Sequence, residues 1–314
     1  MDASSYMKEL SSKGLGYLKD LSLKHLVALD IETTGFSPTQ AQVTQVGMMA
    51  VGHNRPRMST KCRLTEETLQ KLRVESSSKV LSCLKRGSTH WVLRYNNYHP
   101  MFRRYGELLL GGPCAHKLAV MTPKGLQFAE QGSEIPLLPN DMRLLSDGLL
   151  NLPEEKNLLT GLFSQLQTMP PGTGILGQNI ILFDIPFLEG RAGHYGMNSW
   201  FHPRVVDTMW ISRVLLIPAL EILAPDDAKS SSILRKLTLA SGKVSSSLQD
   251  LVVALVATGG TAHDALGDCQ TTVSVLKKMQ EYAVYADGVL SANPALYAAW
   301  KTRVDKEALK EPKY

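Results

Sequence analysis

The sequence contains no run near the ~20 apolar residues that a membrane-spanning helix needs, so no membrane partner is expected. Its first residues, MDASSYMKELSSKG, have no apolar signal core, so secretion is not expected either. Cysteine is scarce. Cys62, Cys83, Cys114 and Cys269 lie far apart and form no C-x-x-C pair, which argues against a disulfide scaffold and a structural zinc site. That usage points to a reducing, cytoplasmic compartment. The patterns G-x-x-x-x-G-K-[ST], H-E-x-x-H and G-x-S-x-G are all missing, which removes the commonest nucleotidase, metalloprotease and hydrolase readings. Gly172 to Gly177 does match G-x-G-x-x-G. A dinucleotide fingerprint follows a strand and opens a helix, whereas Pro170-Pro171 precede this one and an apolar strand follows, so it reads as a turn into a strand. Acidic residues are missing from Ser76 to Gly106, a stretch with six basic ones: Lys79, Lys85, Arg86, Arg94, Arg103 and Arg104. The other 28 of the 34 basic residues face 29 acidic ones, so this one segment supplies the whole positive excess and hints at an anionic partner.

What is present is ordinary globular material. The chain has 314 residues, 44% hydrophobic and 20% charged, enough for one large domain or two small ones and too apolar for general disorder. Residues 1–24 read as an amphipathic lead-in. His25 to Ile31 is an apolar run bounded by turn residues and predicts a buried strand; Val43 to Val51 predicts a second and Arg57 to Leu64 a weaker third. About residues 65–155 the periodicity is mixed and weak. A helix is expected over 154–168, a strand over Gly174–Asn179, a helix to about Tyr195 and a strand over Arg204–Thr208. Residues 225–250 are Ser-rich and read partly as loop. Asp264 to Tyr282 has helical spacing, and 294–314 predicts a last helix with an apolar stripe that packs on the domain. Strands first, then helices alternating with strands, predict an α/β sheet with an antiparallel front half and a parallel back half.

Three groups of carboxylates carry chemistry. In Asp30-Ile31-Glu32-Thr33-Thr34-Gly35 the acids stand two apart on a strand, so they share a face. Anions that close repel unless a cation neutralises them, and such oxygen ligands suit Mg²⁺ or Mn²⁺. The same pair is also what a solvent-facing Glu beside a turn-capping Asp looks like. Asp184 in Asn179-Ile180-Ile181-Leu182-Phe183-Asp184-Ile185-Pro186-Phe187 sits in apolar surroundings that are costly for a lone carboxylate. A metal, a salt bridge or a helix N-terminus would each relieve it. In His263-Asp264-Ala265-Leu266-Gly267-Asp268 an imidazole precedes a helix whose first turns hold Asp268. It is either a base able to take a proton from water near neutral pH or a surface His beside a capping Asp.

Taken in order, D-x-E on a first strand, N-x3-F-D-x-P-F-L and H-x4-D on a late helix resemble the DnaQ-like DEDDh 3′→5′ exonucleases. LDIETTG followed by Gln45-Val46-Gly47 is especially similar, and Val205-Val206-Asp207-Thr208 adds to the likeness. The resemblance covers about 25–64 and 172–280. It implies an α/β ribonuclease H-like mixed β-sheet flanked by helices, with a large insertion at about 65–155 between the early strands and the second motif. The domain would run over 25–282, between the lead-in 1–24 and a helical tail 283–314. It further implies that Asp30, Glu32, Asp184 and Asp268 bind two divalent metal ions, Mg²⁺ or Mn²⁺. His263 would be the general base, Thr33 and Thr34 would flank the terminal nucleotide through backbone or hydroxyl contacts, and Asn179 would help hold the strand. The partner would be nucleic acid with a free 3′ end, with room for a polymerase or other replication or repair protein. DNA is favoured over RNA; an exoribonuclease of the same fold and a non-catalytic nucleic-acid-binding module are the rivals. Gln178 stands where many members have His, and the Asn-to-Asp spacing of five suits some branches better than the bacterial proofreading subunits. Within the basic segment, Trp91, Tyr95, Tyr98, Phe102 and Tyr105 alternate with Arg94, Arg103 and Arg104. Such interleaving suits a single strand, with cations on phosphates and rings on bases; it equally suits a small core with a solvated face.

Overall fold

The computed structural model describes residues 2–53, 55–62, 153–197, 204–260 and 264–312, together with short strands at 93–94, 118–122, 125–130 and 133–136. It divides into two units: Met1–Glu32, Gln45–Thr60 and Leu159–Tyr314 form one, and Thr33–Thr44 and Lys61–Leu158 the other.

The first unit is built on a mixed five-stranded sheet flanked by helices, in the order β3-β2-β1-β8-β9. Its strands are β1 (Leu26–Thr33), β2 (Val43–Ala50), β3 (Arg55–Lys61), β8 (Gly174–Gly177) and β9 (Arg204–Asp207). β1 therefore lies in the middle. Leu26, Val27, Ala28 and Leu29 are all buried, which is why this stretch reads as continuously apolar rather than alternating. β1 runs parallel to β8, with Leu26 opposite Gly174, and β8 parallel to β9, with Gly177 opposite Asp207. Parallel pairing needs crossovers, and the sequence supplies helices for them.

The helices are α1 (Ala3–Lys13), α2 (Leu15–Lys19), α3 (Glu155–Gln167), α4 (Asp184–His194), α5 (Thr208–Ile211), α6 (Ile217–Leu223), α7 (Ala228–Leu237), α8 (Leu248–Leu255), α9 (Ala265–Ser291) and α10 (Pro294–Ala308), of which α3 and α4 lie in the parallel crossovers. A π-helical turn, Ser212–Leu216, joins α5 to α6. Capping side chains fix most of the starts. Asp2, Asp227, Ser247, Asp264 and Asn293 each accept a backbone N–H of the helix they open. In α9 the buried residues Val273, Leu276, Met279, Ala283, Ala286 and Leu290 recur three or four apart and form the stripe that faces the core. The helix continues to Ser291, nine residues past the predicted end at Tyr282. The lead-in is helical, and α1 packs on α10. Trp300, Val304 and Ala308 of α10 are buried there, as its apolar stripe predicts.

The Ser-rich stretch at 225–250 differs from its reading as partial loop, because it carries α7 and α8. Its serines work as caps and buried hydroxyls, such as Ser230 bonded to the Tyr282 hydroxyl at 2.6 Å. That use hides the helical period, since serine is a weak helix former.

The second unit contains a four-stranded antiparallel sheet, β4-β5-β6-β7, of Leu93–Arg94, Leu118–Thr122, Gly125–Glu130 and Ser133–Pro136. β5 pairs with β6 from Leu118 opposite Ala129 to Thr122 opposite Gly125. These strands lie in the region of weak periodicity, and the longest has six residues. Runs that short give little alternation to read. The same unit holds the turn after β1. There Thr33 Oγ1 donates to Gly35 O at 2.7 Å, and the Gln42 N–H donates to Thr34 Oγ1 at 2.9 Å.

Candidate active site

Asp30 and Glu32 stand near the carboxyl end of β1, and Asp268 one turn into α9. One oxygen from each lies within 4.8 Å of the others, and all three residues are partly buried. Two close contacts let strand and helix meet this way. A Cβ on Gly47 of β2 would collide with the backbone of Ala265 and Leu266, so α9 can begin there only against glycine. A Cβ on Gly260 would strike Gly267. Gln45, two residues before Gly47 and buried, donates from Nε2 to Asp264 Oδ1 at 2.7 Å. Asp264 in turn caps α9 by accepting the Gly267 N–H.

Asp184 opens α4 and is 4% exposed. Its Oδ1 accepts the N–H of Ile31, the residue between Asp30 and Glu32, at 3.1 Å. Burial pushes its carboxyl up to about 7, and the charges of Asp207 and Glu32 add to the rise while the Ile31 N–H opposes it. The structure thus gathers Asp30, Glu32 and Asp268 into one cluster and ties Asp184 to its backbone. His263 lies outside the described residues, as do Arg103 and Arg104. Arg94 lies in β4, whose backbone alone is described.

The crowding is also felt by a bystander. Burial raises the Cys269 thiol well above its ordinary value, and Asp30, Asp184, Asp268 and Asp264 raise it further. The thiol stays protonated and donates to Gly47 O at 3.3 Å. Three carboxylates at this separation fit a divalent cation: they offer hard oxygen donors, and their mutual repulsion needs a positive charge among them.

The second motif is held from behind. Asp207, fully buried at the end of β9, accepts the N–H groups of Asn179 (3.0 Å), Met209 and Trp210 at Oδ1 and that of Ile181 (3.1 Å) at Oδ2. Its own N–H donates to the Tyr6 hydroxyl at 3.0 Å. Burial raises its carboxyl to about 6 against those four donors. This anchor fixes Asn179 in the left-handed region, φ 60°, and leaves Asn179 Oδ1 buried without a partner. Gln178 takes no part in the carboxylate cluster. Its Nε2 donates to Ser246 O at 2.8 Å, and its Oε1 accepts from Thr208 Oγ1 at 2.6 Å.

Motif spacing assigned no role to Gln45 or Asp207. A polar side chain inside an otherwise apolar strand was the available signal for both.

No protein-family model and no curated protein matches the chain. Solved structures do. The chain is similar to Exonuclease I. The E. coli protein in complex with a dT13 oligonucleotide matches over 87% of this chain and 45% of that one, at 15% identity and a TM-score of 0.45. The zinc-bound form of the E. coli protein with single-stranded DNA matches over 85% and 42%, at 16% identity and a TM-score of 0.45. A moderately thermophilic Exonuclease I from Methylocaldum szegediense matches over 85% and 43%, at 18% identity and a TM-score of 0.40. The chain spans less than half the length of these structures.

Proposed function

We propose that the chain is a metal-dependent 3′→5′ exonuclease that shortens single-stranded or frayed ends, DNA in preference to RNA, to nucleoside 5′-monophosphates. The observation that carries this reading is the convergence of Asp30, Glu32 and Asp268 on one point, with Asp184 bonded to the backbone between the first two. Asp30, Glu32, Asp184 and Asp268 would hold two divalent ions. Such ions activate water and stabilise the charge that develops on a phosphodiester during in-line displacement. His263 takes the proton of the attacking water. The water oxygen bonds to phosphorus as the bond from phosphorus to the 3′ oxygen of the penultimate sugar breaks. That oxygen leaves as the new 3′ hydroxyl, and the terminal residue departs as its 5′-monophosphate. Thr33 and Thr34 flank the terminal nucleotide, and Asn179, whose Oδ1 is buried without a partner, helps hold the strand.

The test is a DNA with a 3′ overhang, labelled at its 5′ end, incubated with Mg²⁺, Mn²⁺ or EDTA beside an RNA copy. A ladder shortening from the 3′ end with metal and none with EDTA is expected, faster on DNA, and Asp30→Asn should reduce it to background. Faster shortening of RNA would make the enzyme an exoribonuclease. Binding of both strands without cleavage would leave a nucleic-acid-binding module.

A further inference from the structure

In the chain, residues 261–263 join Gly260 to Asp264 and end in His263. Both flanking residues are tied down in the first unit. We propose that Gln45 and Thr271 are positioning residues for the base: they brace the two ends of the span that carries His263. The proposal rests on the exonuclease reading and deepens it, since these residues would act on the reaction through His263 rather than by touching the strand.

The downstream end is held through Asp264. Its Oδ1 accepts Gln45 Nε2 at 2.7 Å, its Oδ2 accepts the Gly267 N–H at 3.2 Å, and its carbonyl accepts the Asp268 N–H at 2.8 Å. The last two bonds belong to α9. The Gln45 bond reaches β2, in the sheet that also carries Asp30 and Glu32. Consecutive Cα atoms lie about 3.8 Å apart, so fixing Asp264 confines His263. Gln45 is 1% exposed, and its Oε1 is buried without a partner. A buried acceptor left unpaired is a cost that an apolar side chain would avoid. What the amide does there, and an apolar residue could not, is hold Asp264.

The upstream end is held along α9. The chain leaves α8 through Val256, whose φ of 54° is costly for a β-branched residue. Such a residue persists where its surroundings over-determine it. Here the Thr258 N–H donates to Ser274 Oγ at 2.9 Å, and the Gly260 N–H donates to Thr271 Oγ1 at 2.8 Å. Thr271 is 2% exposed, and its hydroxyl donates in turn to Gly267 O at 2.9 Å. Gly260 also sits so close to Gly267 that a Cβ would not fit between them. Gly260 and Asp264 thus both register on the helix that carries Asp268, one through Thr271 and the other through its own cap. The two ends of the span therefore keep their place relative to the carboxylate cluster.

The test is single-turnover shortening of 5′-labelled single-stranded DNA with Mg²⁺, by the full chain. Gln45→Met, Thr271→Val and Ser274→Ala are each made in wild type and again in His263→Ala. In wild type, Gln45→Met and Thr271→Val should slow the reaction about ten- to a hundredfold, the scale of a displacement near 1 Å, with binding of dT10 in EDTA unchanged. Ser274→Ala should slow it about threefold; it lies nearer the surface and keeps the test open if Thr271→Val does not fold. In His263→Ala each should cost less than about twofold, because the group they position is gone. Gln45→Glu should recover part of the rate at low pH, where its protonated carboxyl can donate to Asp264, and lose it as pH rises and the two carboxylates repel. Equal losses in both backgrounds would overturn the proposal, since the residues would then act on the fold or the metals. Unchanged rates in all three variants would overturn it too. Failure of wild type itself to shorten any strand would sink the exonuclease reading and the positioning role with it, whereas active wild type beside unaffected variants sinks the positioning role alone.

Discussion

Asp184 shows what happens when a carboxyl is buried before its counter-charge arrives. Its value near 7 lies above the ordinary 3.8, so the folded, metal-free protein holds a proton that the unfolded chain releases. Stability in EDTA should therefore be full below about pH 4 for this group and decline as pH rises through 7. Mg²⁺ or Mn²⁺ should reverse that trend, with the gain in melting temperature larger at pH 8 than at pH 5. Thermal melts at both pH values, with and without metal, check this; a metal gain independent of pH would separate Asp184 from the ions. His263→Ala should cut turnover by about 10²–10⁴ and remove the acidic limb of the pH–rate profile, as measured in single-turnover assays. Asp30, Glu32, Asp184 and Asp268 were legible in the sequence because chemistry restricts residue type and order. Gln45 and Asp207 were not, since hydrogen bonds to a cap or a turn can be made by many side chains at many spacings.

At the scale of elements, the meeting of β2 and α9 is the joint that sets the cluster. Gly47→Ala would place a methyl group against the backbone of Ala265, where nothing can swing aside. Overpacking of this kind costs about 1–3 kcal/mol. The larger effect should fall on metal affinity, because α9 carries Asp268. A Mg²⁺ titration of activity should show a midpoint raised several-fold, beyond what the loss of denaturant stability explains. β1, β2, α4 and α9 were readable because each combines an apolar run with a clear start or stop. The helices from Thr208 to Leu223 were not. Almost every side chain there is buried, so no polar face marks the period. β4 to β7 escaped for the opposite reason, with too few residues per strand to set a pattern.

Across the whole molecule the charge is uneven, and the excess sits in one basic segment. Replacing Arg94, Arg103 and Arg104 together by alanine should weaken single-strand binding. It should also lower the salt slope by about 2 if all three contact phosphates. Anisotropy over 50–200 mM salt measures this, and an unchanged slope would assign those arginines to a solvated face. The carboxylate cluster has a different consequence at this scale. Asp30 is met by Asp268 from 238 positions further along, so the site closes only across a long-range contact of the fold. Such contacts form late and slowly. A chain emerging from the ribosome presents its first two carboxylates long before the third is made. On the exonuclease reading, the growing polypeptide stays inactive until Asp268, in the first turn of α9, has been made.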